Sequence, residues 1–166
     1  TIYVAPGHYE EQPVFTKNVK IYGNNRNISP IRRSDEKWSL SEARLEETVL
    51  DGSLIFDQKT SNTYTVHGFT FASRDKYEYA IYQTYANQCK AINVDIRRNI
   101  FRFRGINTTN SSCIMLNDTR EKTGIIADNY FSALGEASGT LCRVFSVRNP
   151  NGLLFEGNYC INFVSH

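Results

Sequence analysis

Short stretches in which apolar and polar residues alternate run the length of the chain, with Gly, Asn, Asp and Pro standing between them. Alternation with a period of two, broken by turn formers, predicts β-strands a few residues long. Four such stretches, 66–71, 96–101, 126–131 and 155–160, align without gaps at spacings of 30, 30 and 29 residues. Their first positions are Val66, Ile96, Ile126 and Phe155. Their fourth are Phe69, Asn99, Asn129 and Asn158, and their last are Phe71, Phe101, Phe131 and Cys160. A second strand is predicted between copies, at 79–82, 112–116 and 142–147. Each period therefore holds two or three strands and leaves no space for a helix.

A unit this small cannot bury its apolar face alone, so the copies are expected to stack as a solenoid. Each strand would pair in parallel with its equivalent one period away, at about 4.8 Å per level. Val66, Ile96, Ile126 and Phe155 would form an inward ladder. Asn99, Asn129 and Asn158 would form a structural ladder at a turn, amide bonded to amide. On this reading residues 1–62 are an opening coil with a loop insertion at 24–47, and 63–163 are regular coils of about 30 residues, all in one domain. The one helix-like stretch, 39–47, would begin at a Ser41 cap and lies in the most charged part of the chain, 32–47.

Composition narrows the classes. The 166 residues are 40% hydrophobic and 22% charged, which is globular rather than disordered. A net charge of +2 excludes a protein that coats polyanions, and no nucleic-acid partner is expected. No run of 18 apolar residues occurs, so no membrane insertion is expected. Aromatics at 13% and sixteen Asn suit strands joined by tight turns. The chain opens directly on a strand-like Ile2-Tyr3-Val4 without an initiator Met, and reads as an excerpt of a longer protein. Cys89, Cys113, Cys142 and Cys160 lack a C-x-x-C spacing, which argues against zinc. Cys113 and Cys160, inside apolar runs, are expected to be buried thiols. A Cys113–Cys142 disulfide would require their strands to stack as neighbours.

The opening Ile2-Tyr3-Val4-Ala5-Pro6-Gly7-His8-Tyr9-Glu10-Glu11 resembles the first coil of right-handed parallel β-helix proteins of the pectin-lyase-like superfamily. So do Lys17-Asn18-Val19-Lys20-Ile21-Tyr22-Gly23, Thr48-Val49-Leu50-Asp51-Gly52, and Val66-His67-Gly68-Phe69-Thr70-Phe71. The resemblance covers essentially the whole chain and implies an all-β, right-handed, single-stranded parallel β-helix. Superfamily members include pectate and pectin lyases, pectin methylesterases, polygalacturonases, surface proteins and phage tailspikes, and many bind or cut polysaccharides. Fold alone does not choose among them.

The catalytic signatures narrow that choice. The methylesterase motifs are absent, including the DFIFG segment, and so are the clustered Asp motifs of polygalacturonases. Asp95, Asp118 and Asp128 fall on different strands or turns, and Asp128 is expected to serve its turn. A lyase needs a basic residue to take the proton beside a uronate carboxylate, and the only candidates are in the run containing Arg97, Arg98, Arg102 and Arg104. If Ile96, Phe101 and Phe103 point inward, then Arg97, Arg102 and Arg104 point out as one basic patch, with Arg74 one level away. Such a patch would meet acidic sugars through bidentate carboxylate contacts, although outward Arg is also ordinary solvated surface. Among Tyr77, Tyr79, Tyr82 and Tyr85, one or two outward rings, Tyr82 and Tyr85, would stack on sugars, or pack on a neighbouring loop. His8, His67 and His166 read as isolated. No column of acidic residues suggests a metal site, and no cofactor is expected; Ca²⁺ would enter only with a lyase mechanism.

The expectation is thus an extracellular, cell-surface or virion module that recognises polysaccharide on its lateral face without a catalytic motif. The alternatives are a polysaccharide lyase using the Arg-rich face, or a structural spacer of a surface or tail fibre. Monomer and trimer both fit these readings. Asn27, Asn107, Asn110 and Asn117 head Asn-X-Ser/Thr triplets, which chance supplies in a chain this rich in Asn.

Overall fold

A computed structural model describes residues 1–34, 37–57, 61–73, 78–84, 91–103, 111–116, 120–133 and 143–161. The described chain is all-β, with no helix and three long parallel sheets. The first sheet orders Ile2–Tyr3, Val19–Tyr22, Asn62–His67, Ile92–Arg97, Lys122–Ala127 and Leu153–Glu156. The second runs Gly7–Tyr9, Thr48–Leu50, Phe69–Ser73, Ile100–Phe103, Tyr130–Ala133 and Tyr159–Ile161. The third runs Val14–Phe15, Leu54–Phe56, Tyr79–Gln83, Ser112–Leu116 and Arg143–Val147. Chain order visits first, second and third sheet in turn, so each period adds one strand to each.

Register follows the repeat. Val66 pairs with Ile96, Ile96 with Ile126, and Ile126 with Phe155. Phe71, Phe101 and Phe131 are register partners whose rings lie parallel, with centroids 4.8 and 4.6 Å apart. One apolar core receives residues from all three sheets, among them Ile21, Val66, Leu50, Phe101, Leu54 and Ile114. Each large side chain so buried stabilises the fold by about 1.5–3 kcal/mol, and each stacked ring pair adds roughly 0.5–1.5 kcal/mol.

The corner between first and second sheets repeats as well. Gly68, Arg98, Asp128 and Gly157 all have left-handed backbone, with φ of 79°, 56°, 54° and 59°. Three of the residues that follow are Asn99, Asn129 and Asn158, and they bond from level to level. Asn99 Nδ2 donates to Asn129 Oδ1 (3.1 Å) and to Val66 O (2.9 Å). Asn129 Nδ2 donates to Asn158 Oδ1 (3.0 Å) and to Ile96 O (2.9 Å). A left-handed Arg or Asp is strained by comparison with Gly. At Gly68 there is no choice, because a Cβ there would lie 2.2 Å from the backbone nitrogen of Arg26.

The insertion departs from the expected helix at 39–47. Ile31–Arg33 and Trp38–Leu40 form an antiparallel hairpin instead. The Ser41 hydroxyl accepts from the Ala43 N–H (3.3 Å), a local turn rather than a helix cap. Packing decides the outcome: Ile31 and Leu40 lie against Ile100, Tyr130, Tyr159 and Ile161 on the outer side of the second sheet. Arg33 Nη2 reaches Asp128 Oδ1 (2.6 Å) and Gly157 O (3.2 Å). Arg44 grips Glu47 with two nitrogens (2.6 and 2.8 Å) and donates to Ile28 O and Arg98 O. The insertion is therefore a strap laid across several levels.

Of the expected buried thiols, Cys113 is buried, but Cys160 is exposed. Cys160 pairs with Phe131 at the last described level of its sheet, where stacking on one side alone leaves it uncovered. Cys89 and Cys142, and with them the Cys113–Cys142 pairing, lie outside the described residues.

Candidate functional site

The outer sides of the three sheets differ in character. The strap covers the second, over Ile100, Tyr130 and Tyr159. The third presents an apolar column in register, Val14, Ile55, Tyr82, Met115 and then Ser146. The first presents polar and aromatic columns: Tyr3, Tyr22, His67, Arg97, Ala127 and Glu156 in one, and Lys20, Thr65, Asp95, Ile125 and Leu154 in the next. This first-sheet side is where side chains of mixed charge gather.

Its centre is Asp95. Parity puts Asp95 and Arg97 on the same side of one strand, and the Arg97 Nε donates to Asp95 Oδ1 at 2.6 Å. Stacking by one period brings in His67, the register partner of Arg97, with its Nε2 3.1 Å from the same Oδ1. The contact is close enough to act on the Asp95 carboxyl but is not a well-formed hydrogen bond, and the buried Nε2 has no other partner among the described residues. Burial alone would raise the Asp95 pKa, but His67 and Arg97 outweigh it and hold the carboxyl below its ordinary value. The Nη atoms of Arg97 make no hydrogen bond to the described residues, and the side chain is about a third exposed, at 36%.

Aromatic rings extend the site along the column. The Tyr22 ring lies 5.4 Å from that of His67, and Tyr3 stacks on Tyr22 at 5.5 Å. The Arg26 guanidinium lies over Tyr3, 5.1 Å from the ring centroid. Tyr3 is the most open of these rings, 67% exposed. The result is a strip with two guanidinium groups, an imidazole and two phenol rings, chemistry that suits sugars carrying carboxylate or sulfate. Among the described residues no three His, Cys, Asp or Glu side chains are placed to share a metal ion.

The described members of the set singled out from the sequence lie on different sheets. Arg97 is on the first sheet and Arg102, exposed, is on the second, in register with Ala72 and Ser132. Of the patch expected of Arg97, Arg102 and Arg104, the two described members lie on different sheets, because the left-handed Arg98 turns the chain out of one sheet and into the next. Tyr82 is on the third sheet, half-buried, with its ring 4.9 Å from that of Tyr79. Arg74, Arg104 and Tyr85 lie outside the described residues, as do Tyr77, Asp118 and His166. Asn99 and Asn129 are buried in the corner ladder, with Asn158 beside them. Asp128 bonds Arg33 of the strap.

His67, Asp95, Tyr22, Tyr3 and Arg26 were not expected as a group. For His67 the signal existed: it precedes Arg97 by one period, so a search along the column rather than along the chain finds it. The chain matches no known protein-family model, no curated protein and no solved structure. No helix among the described residues is long and apolar enough to cross a membrane.

Proposed function

We propose that the chain forms a right-handed, single-stranded parallel β-helix of the pectin-lyase-like kind. On this reading it recognises acidic polysaccharide on the outer side of its first sheet, as part of a secreted, cell-surface or virion protein. The three parallel sheets fed in rotation, the thirty-residue register and the Asn corner support the architecture. The single observation that carries the binding reading is Arg97. Asp95 fixes its Nε, while its two Nη groups make no hydrogen bond to the described residues, and the Tyr22 and Tyr3 rings lie two and three levels along the same column. An oriented guanidinium offers a carboxylate two parallel hydrogen bonds. Parallel strands about 4.8 Å apart give this side a length of roughly 20–25 Å over its six strands, enough for several sugar units.

Equilibrium binding to sodium polygalacturonate and to a neutral glucan tests this. Binding of the acidic polymer, weakened about tenfold or more by Arg97→Ala and several-fold by Tyr3→Ala, is expected. Equal binding by wild type and Arg97→Ala overturns the site. Appearance of unsaturated-product absorbance moves the assignment from binding to lyase chemistry. No glycan binding together with a stable trimer leaves the fibre-spacer reading in its place.

A further inference from the structure

We infer that His67 is a proton-operated control on the Arg97 anion site, tightening its hold on anions when the imidazole is charged. The ligand in this inference rests on the acidic-glycan reading; the switch itself rests on the geometry of His67, Asp95 and Arg97. Two nitrogen groups from adjacent strands meet one carboxylate oxygen, Arg97 Nε at 2.6 Å and His67 Nε2 at 3.1 Å. With a neutral imidazole, Asp95 is neutralised by Arg97 and the trio carries no net charge. In that state the buried Nε2 has, among the described residues, only its imperfect 3.1 Å contact with Asp95 and is poorly satisfied. A proton taken from solvent removes the conflict, because Coulomb attraction to Asp95 does not need the alignment that a hydrogen bond does. The trio then carries one positive charge, His67 competes for the oxygen that Arg97 holds, and the guanidinium faces an incoming anion with less of its charge committed.

Among the described residues, the surroundings of His67 supply no second carboxylate to absorb that charge. Tyr22 faces it from Val19–Tyr22, with Lys20 one outward position away. Thr65 is its neighbour on its own strand, Asp95 and Arg97 face it from Ile92–Arg97, and Arg26 and Arg98 stand at the corner, where Arg98 Nη1 donates to Arg26 O. Glu156, next in that column, lies two levels beyond Arg97. Protonation therefore adds to a site already positive on balance. Histidine is the side chain whose ordinary titration falls between about pH 5 and 8, and uronate carboxylates stay charged across that range.

Two measurements decide it. In the free protein, the Arg97 Nε–H resonance should move together with the His67 ring resonances across a pH series, and should stop moving in His67→Gln. Binding of sodium polygalacturonate should be about three- to tenfold tighter near pH 5.5 than near pH 8 beyond any change in His67→Gln or His67→Asn, which also removes contributions from His8 and His166. A flat Arg97 resonance overturns the switch, as does a pH ratio that survives both His67 variants. A coupled resonance with no polymer bound at either pH supports the switch and overturns the glycan reading instead.

Discussion

Asn99 and Asn129 stand thirty residues apart in the chain and are joined amide to amide, Nδ2 of the first donating to Oδ1 of the second at 3.1 Å. The same Oδ1 accepts the backbone N–H of Asn99 at 3.0 Å. Asn129 in turn donates to Ile96 O and to Asn158 Oδ1, and it is fully buried. One side chain thus closes four hydrogen bonds across three levels. Asn129→Ala would remove the partner of the Asn99 backbone N–H, one of the two partners of the Asn99 amide nitrogen, and the side-chain donor to the Ile96 carbonyl, all in a buried corner. A buried orphaned group costs about 1–3 kcal/mol. The expected loss is about 3 kcal/mol or more, read as a fall in denaturation midpoint at unchanged m-value. Asn158→Ala, at a half-buried position, should lose clearly less.

Arg44 ties the strap to the sheets. Its side chain is 4% exposed, yet it bonds the Glu47 carboxylate and two backbone carbonyls, while Thr70 Oγ1 donates to the same carboxylate. Arg44→Ala strands Glu47 beside the second sheet, and breaking a pair so placed costs about 3–5 kcal/mol when both ends are buried. Glu47 is only partly buried, so about 2–3 kcal/mol is expected. Local release should precede global unfolding, so protease cleavage within 24–47 should speed up more than cleavage elsewhere. Equal acceleration throughout would mean that Arg44 acts on the whole fold and not on the strap.

Much of this architecture was legible because a solenoid converts sequence period into spatial adjacency. The expected strands at 79–82, 112–116 and 142–147 correspond to Tyr79–Gln83, Ser112–Leu116 and Arg143–Val147. Ile96 and Ile126 fall in register, as their thirty-residue spacing predicts. Legibility ends where the period is broken or the backbone leaves the pleat. Tyr22 pairs with His67 across forty-five positions, since the insertion lies between them, so their ring contact has no signature in the repeat. Arg97 and Arg102 look like one outward row only if alternation continues through Arg98, whose left-handed backbone ends it. At 39–47, helix-favouring Ala, Arg, Leu and Glu yield to the contact of Leu40 with the second-sheet side, because local propensity is worth less than apolar burial.

Asp95 gives the acid limb of stability a definite sign. Burial pushes its pKa up, but His67 and Arg97 prevail and the folded value lies below the ordinary 3.8. A carboxyl with a depressed folded pKa contributes stability that is present above the unfolded value and lost as pH falls through the folded one. Because the group is partly exposed, solvent screening holds the contribution to about 1 kcal/mol or less. Asp95→Asn should therefore cost most near neutral pH, with the difference from wild type shrinking below the ordinary carboxyl range. Denaturation midpoints at a series of acid pH values measure it; a constant difference would mean that the carboxylate charge is not what the site uses.

Tyr79 acts at the opposite end of the scale. Its phenol pKa is pushed up to about 12, first by burial, then by its hydrogen bond to Glu78 and by the negative charge there. The ring also stacks on Tyr82 at 4.9 Å, so ionisation would place a negative charge against the electron-rich face of that ring. Because the folded value is raised above the ordinary 10.0, the stability it contributes is complete below that value. It is lost as pH climbs through the folded value. In a spectrophotometric titration of the ten tyrosines, Tyr79 and Tyr130, both raised first by burial, should ionise later than the ordinary phenols, with Tyr79 giving the late step near pH 12. Tyr79→Phe should remove that late step, and Glu78→Gln should move it to lower pH while leaving it present. A late step that persists in Tyr79→Phe would assign it to another ring, and the pairing of Tyr79 with Glu78 would then have no bearing on the alkaline limit of the fold.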